Sequence, residues 1–204
     1  MLIFTPKIKH FNKASFCKYF DKTMSDKHLI DRLKNTATKR EAFHELVKTY
    51  QEKLYWHIRR MVIDHDDTDD VLQNVFIKVW NGIDTFREES MLYTWLFRIA
   101  TNESLTHLAQ QKRRKIFSGT IENDFLINNL QSDNYFDGSE IERKLQAAIQ
   151  KLPDKQRLVF NMKYFQEMKY TDMAEILETS VGALKASFHH AVKKIEEDLK
   201  DEDN

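Results

Sequence analysis

The feature that most constrains this chain is its lack of residues that reverse a backbone tightly. Among 204 residues there are 4 Gly and 2 Pro, where ordinary usage is about 7% and 5%. Tight hairpins need those residues, so an all-α architecture is expected. Charged residues make up 31% and hydrophobic ones 41%. No run approaches the roughly 18 apolar residues of a membrane span, so no membrane insertion is expected. Lys and Arg together number 32, as do Asp and Glu, so any affinity for nucleic acid must come from local charge distribution. Cys17, the single cysteine, allows no internal disulfide and no multi-cysteine zinc site, which suits a reducing, cytoplasmic compartment.

Hydrophobic spacing then divides the chain. Residues 1–23 hold five Lys against one acid, Asp21, without the continuous apolar core of an export signal. They are read as a dispensable extension, with a fresh start at Met24 and Ser25 placed as a helix N-cap. From Lys39 the positions Phe43, Leu46, Val47, Tyr50, Leu54, Ile58, Met61 and Val62 recur at three and four, predicting one long amphipathic helix. Asp64 to Asp70 place capping and acidic residues ahead of Val71, Leu72, Val75, Phe76, Val79 and Ile83, a second helix that Asn81 and Gly82 should stop. Ser90 is expected to cap a third, carrying Leu92, Trp95, Leu96, Ile99, Leu105 and Leu108 and ending in the basic run 112–115. Residues 117–139, with four acids and no Lys or Arg, read as a flexible linker. Spacing resumes at Ile141, Leu145, Ala148, Ile149 and Leu152, and Pro153 suits the first turn of the next helix. The expected organisation is two small helical domains, 24–116 and 140–200, tumbling semi-independently about the acidic linker.

Two segments carry recognition chemistry. Residues 171–177, a short turn and 181–185 read as a helix-turn-helix: Ala174 is small where helices cross, Ile176, Leu177, Val181 and Leu184 supply a shared core, and Ser180 caps the second helix. Gly182 would let a backbone approach a phosphate. Thr171, Ser180, Lys185, Ser187, His189, His190, Lys193 and Lys194 are the candidate contacts to duplex DNA. An ordinary helical hairpin with a solvated charged face would use the same residues. The third helix mixes Tyr93, Trp95 and Phe97 with Arg98, Asn102 and the basic end at Arg113 and Arg114, rings and polar groups suited to unstacked bases. Trp95 also lies on the apolar stripe and serves equally as core. His65 beside the Asp cluster admits a metal reading, but a capped helix start or an acidic docking surface explains it with less. No phosphate loop, nucleophile elbow or zinc signature is present, so no cofactor or metal is expected.

These motifs in this order resemble the extracytoplasmic-function sigma factors of the sigma-70 family of RNA polymerase subunits. Residues 69–80 look like region 2.2, residues 94–102 like regions 2.3 and 2.4, and residues 152–160 with the helix-turn-helix like region 4. The resemblance implies a factor without enzyme activity that binds core RNA polymerase, recognises promoter DNA and assists its melting. Asp69, Asp70, Gln73 and Asn74 would dock on the clamp helices of the β′ subunit. Phe86 and Arg87 would help form a pocket for a flipped −10 base, near Tyr93, Trp95, Arg98 and Asn102. Lys185 and its neighbours would enter the major groove of the −35 element, while region 4 grips the β flap. An anti-sigma factor is a further partner that the resemblance allows. Family recognition helices are rich in Arg, the commonest reader of guanine; here Ser187, His190 and Val192 stand in those places. Two rival readings make distinct demands. A conventional helix-turn-helix regulator with an N-terminal sensing domain binds duplex without polymerase, and a hydrolase built on His65 requires bound divalent metal.

Overall fold

In a computed structural model, residues 23–118 and 140–201 are described. They form helices and turns without a strand, in the order α1 (Thr23–Lys34), α2 (Lys39–Val62), α3 (His65–Gly82), a 3₁₀ turn (Ile83–Thr85), α4 (Leu92–Ser118), α5 (Glu140–Gln150), α6 (Asp154–Tyr164), α7 (Tyr170–Leu177) and α8 (Val181–Asp201). The proposed linker, apart from its first two residues, and nearly all of the N-terminal extension lie outside the described residues.

The N-terminal region packs α2, α3 and α4 against one another, with α1 across one end. Helix α2 buries Leu46, Tyr50, Leu54, Ile58, Met61 and Val62, and α3 buries Val71, Val75 and Val79, so both stripes face the core as their spacing predicts. The carboxylate of Asp64 accepts a hydrogen bond from the Asp67 amide at 3.0 Å, capping α3, whose first turn adds Asp66 and Asp67 at the positive end of the dipole. Three local expectations shift. Ser25 falls inside α1 rather than capping it. The Trp95 amide donates to the Met91 carbonyl at 3.1 Å, so Met91, not Ser90, stands at the start of α4. Gly82 ends α3 in a right-handed conformation that any residue adopts; a β-carbon there would lie 3.4 Å from the Trp95 indole, an ordinary contact, so neither backbone nor packing demands glycine.

The C-terminal region has its own small core, where Leu145, Ala148, Ile149 and Leu152 meet Phe160, Ala191 and Ile195. Pro153 stands immediately before α6, its carbonyl accepting from the Arg157 amide. The Ser180 hydroxyl accepts from the Ala183 amide at 3.2 Å, capping α8 as expected. Glu178, in the left-handed conformation at φ 50°, turns the chain between α7 and α8.

The two regions are not separate bodies. Leu158, Val159, Met162, Met168, Met173, Ile176 and Leu184 belong to the same buried cluster as the core of the N-terminal region. Helix α7 packs on α4, and α6 on α2. In this arrangement the methionines and Ile176 present an apolar face that the N-terminal region covers, and separation would expose it to water.

Candidate nucleic-acid interface

The outer face of α8 is built from spacing alone. Leu184, Ala191 and Ile195 point inward, so Lys185, His189, His190, Lys193 and Lys194 project outward and are exposed, with Ser187 half-buried. The ammonium groups are lightly held: Lys193 pairs with Glu197 at 3.7 Å, Lys194 donates to Gln156 at 3.0 Å, and Lys185 lies 5.9 Å from the Tyr170 ring centre. Thr171 is exposed on α7, its hydroxyl donating to Asp172. Gly182 sits in the first turn of α8 with nothing within 4 Å of where a β-carbon would be. This face is a row of mobile donors beside an open helix start, the arrangement that suits a phosphate backbone and groove.

The second surface is a cleft of about 430 Å³ lined by Thr85, Phe86, Arg87, Glu89, Ser90, Trp95, Arg98 and Glu175. Phe86 is buried against Trp95, ring centres 4.9 Å apart, while Arg87 is exposed beside Glu89. Asn102, Arg113 and Arg114 are exposed farther along α4. Phe97 is fully buried, its ring 4.2 Å from Tyr93 in a tilted pair and 5.0 Å from His57, so of the aromatic mix on this helix it serves packing.

Glu175 belongs to α7 of the other region, so the cleft spans the seam. Arg98 donates to the Glu175 carbonyl at 2.6 Å and its guanidinium lies 3.6 Å from the Glu178 carboxylate. Tyr93 is half-buried in the same seam; burial, with the Asp172 carboxylate adding to it, pushes its hydroxyl pKa well up. Deeper, the buried His57 is hydrogen-bonded on both nitrogens: Nδ1 to the Gln166 amide and Nε2 to the Thr101 hydroxyl, each at 2.9 Å. The Gln166 amide donates, so Nε2 carries the proton and the ring is neutral; burial lowers its pKa to about 4. Asn161 donates to the Arg60 carbonyl at 3.1 Å, and Lys112 pairs with Asp154 at 2.6 Å. Sequence spacing offered no sign of this polar seam, since His57, Gln166 and Asn161 lie in no recognisable motif.

A third surface is the outer face of α3, where Asp70, Gln73, Asn74, Ile77 and Trp80 are exposed together and Asp69 is half-buried. Ile77 is 56% exposed, an apolar residue left uncovered beside polar ones, which marks a face suited to a protein partner. His65 interacts with Tyr55 at 3.1 Å and Asp69 at 3.7 Å, and no group of three His, Cys, Asp or Glu among the described residues is placed to hold a metal ion. No helix among the described residues is long and apolar enough to cross a membrane.

Comparison with known proteins matches these two regions in the same order. The profile described as Sigma-70 region 2 matches residues 46–114, and that of Sigma-70, region 4 matches residues 142–195. The RNA polymerase sigma-H factor of Pseudomonas aeruginosa is 31% identical, the match covering 85% of this chain and 93% of that protein. The ECF RNA polymerase sigma-E factor of Haemophilus influenzae is 33% identical over 85% of this chain and 94% of its own length. The fold is shared with the sigma factor RpoE of Bartonella quintana, solved in complex with the anti-sigma factor NepR, at a TM-score of 0.61 and 23% identity, covering 78% of this chain and 96% of that one. The same score and identity hold for CnrH, solved with the cytosolic domain of CnrY, over 88% of this chain and 99% of that one. With both conserved regions present and nearly the whole length of its relatives matched, the chain belongs to the sigma-70 family of RNA polymerase sigma factors, in its extracytoplasmic-function group.

Proposed function

We propose that this alternative sigma factor divides promoter recognition between two surfaces of different chemistry. The observation that carries the reading is the contrast between the lysine and histidine face of α8 and the aromatic cleft at Phe86, Trp95 and Arg98. Intact duplex presents phosphates and groove edges, which Thr171, Ser180, Lys185, Ser187, His189, His190, Lys193 and Lys194 would meet at the −35 element. Unstacked bases present ring faces, which Phe86, Tyr93 and Trp95 would meet at the −10 element, with Arg87, Arg98, Asn102, Arg113 and Arg114 supplying hydrogen bonds and charge. Asp69, Asp70, Gln73 and Asn74 would dock on the β′ clamp helices and region 4 on the β flap. The working units are residues 24–116 and 140–200, joined through 117–139 and preceded by a dispensable segment 1–23. Core polymerase performs nucleotidyl transfer in the cytoplasm and this chain contributes no catalysis of its own. An anti-sigma factor is a partner suited to it, since the sigma factor RpoE, of the same fold, is solved bound to one.

Transcription by core polymerase on matched duplex and premelted promoters, the promoters taken from a run-off screen of a genomic library, tests the division. Lys185→Ala should weaken engagement on both templates, by about 1 to 3 kcal/mol if the lysine meets a base edge. The Phe86→Ala, Arg87→Ala double variant should chiefly impair opening and leave the salt dependence of duplex binding intact. Equal losses for both variants on every template would refute the division.

A further inference from the structure

Helix α8 contains no arginine, so its lysines are point charges for phosphate, and the planar polar groups on its outer face are the imidazoles of His189 and His190. Both are exposed, with ring centres 6.0 Å apart. Helical spacing sets them in the middle of the cationic row: His189 lies four residues from Lys185 on one side and from Lys193 on the other, and His190 lies four residues before Lys194. The elements packed on α8 are α5, α6 and α7, and their polar groups that reach it meet other residues. Gln156 accepts from Lys194, Tyr170 lies near Lys185, and Lys151, just after α5, pairs with Asp198. On α8 itself, Glu197 pairs with Lys193. Neither imidazole has a hydrogen bond or an ion pair among the described residues.

We propose that His189 and His190 engage the −35 duplex as imidazoliums, so that promoter binding by this factor takes up protons and strengthens as pH falls. The inference rests on the assignment of α8 to the −35 element. A neutral imidazole carries one donor and one acceptor, whereas the imidazolium carries two donors. Phosphate oxygens and the N7 and O6 atoms of guanine are acceptors only. The charged ring can therefore satisfy the duplex with either nitrogen, while the neutral ring risks setting a lone pair against it. Histidine changes charge between about pH 5 and 8, and an adjacent phosphate favours the charged form. The sign follows from that preference. Where the bound ring is protonated and the free one is not, each histidine adds up to about tenfold in affinity per unit fall in pH. Below that window both states are charged, above it neither is, and the dependence vanishes. An arginine in the same place would have no such window, because a guanidinium stays charged throughout. The two histidines thus set when α8 binds as well as what it reads.

The test is binding of the holoenzyme to a fluorescent promoter from the run-off screen between pH 8.5 and 6.5, a range in which the packed His57 stays neutral. The parent should gain at least about tenfold in affinity across that range. His189→Gln with His190→Gln, at exposed positions that leave the core intact, should lose most of the gain. His190→Arg, whose charge is fixed, should bind more tightly than the parent at pH 8.5 and keep only the share of the slope that belongs to His189. Replacing the guanines of the −35 element with 7-deazaguanine separates the two acceptors: a smaller slope assigns an imidazolium to guanine N7, and an unchanged slope assigns both to phosphate, each in keeping with the proposal. A flat profile in the parent, with a −35 footprint still sensitive to Lys185→Ala, would overturn it, as would a slope shared by the parent and the double Gln variant. A −35 footprint and an affinity untouched by Lys185→Ala and by both histidine variants at pH 6.5 would refute the assignment of α8 instead.

Discussion

Gly182 gives the proposed −35 contact a test at a single residue. In the first turn of a helix, glycine is less favourable than alanine by up to about 1 kcal/mol. Nothing in the fold requires it there, since a β-carbon would meet no atom within 4 Å and the backbone is helical. On the proposed reading of α8 as the −35 helix, a missing side chain there would leave room for the DNA backbone to approach. Gly182→Ala is expected to raise the stability of the protein by up to about 1 kcal/mol while weakening promoter binding several-fold. Denaturant unfolding and promoter binding of the holoenzyme, measured on one preparation, separate the two effects. A variant that bound promoter as well as the parent would remove the DNA explanation.

At the scale of elements, α3 is a capped helix that also carries the proposed docking face. Asp64→Ala removes the acceptor for the Asp67 amide and should cost about 1 kcal/mol of stability, read by denaturant titration; Asp66→Ala, exposed in the same turn, should cost only a few tenths. A similar loss from both would assign the stability to acidic charge rather than to the cap. On the outward face, Gln73→Ala with Asn74→Ala should leave unfolding unchanged and weaken competition with another sigma factor for core polymerase. Undiminished competition would place the docking face elsewhere. Helices such as α2, α3 and α7 were legible in sequence because each has one apolar stripe and clear end signals. Helix α4 was only half legible. Its stripe through Leu92, Leu96 and Leu108 faces α2 and α3, but Tyr93 and Phe97 form a second apolar side, and a one-stripe reading assigns such rings to nucleic acid. Phe97 packs against His57 of α2, and Tyr93 lies near Asp172 of α7, a helix that meets α4 from 77 residues away in the chain at the Arg98 to Glu175 contact. The spacing of one helix carries no record of a partner so distant. The cleft residues Phe86, Trp95 and Arg98 were read from motif resemblance, whereas Glu175 and Glu178 lie in the helix-turn-helix, a motif that says nothing of α4, and their contact with Arg98 became visible only when α7 was placed.

For the whole molecule, the seam between the regions makes stability depend on pH through His57. Burial is the main reason its pKa lies near 4 rather than 6.5, with the Arg60 charge acting in the same direction and the Gln166 hydrogen bond opposing both. The groups packed on the ring are Phe97 and Thr101 of α4 and Gln166 of the segment before α7, none of them charged. In the unfolded chain His57 takes up a proton as pH falls through about 6.5, whereas the packed ring stays neutral until about 4. Between those values the unfolded state binds more protons, so stability rises with pH. The contribution is complete above 6.5 and lost progressively on acidification toward 4, with a slope of at most about 1.4 kcal/mol per pH unit and a total on the order of 3 kcal/mol. Opening of the seam follows the same sign, because it hydrates the ring. Acidification from pH 7.5 to 5 should therefore lower both the unfolding free energy and the fraction of closed molecules, while His57→Gln, which cannot ionise, should flatten the dependence on pH. Because Trp56, Trp80 and Trp95 all lie in the N-terminal region, their fluorescence follows that half, and circular dichroism follows both. The shared core requires the two signals to change together at pH 7.5. A pH slope identical in the parent and in His57→Gln would mean that other groups carry the linkage and that the seam takes no part in it.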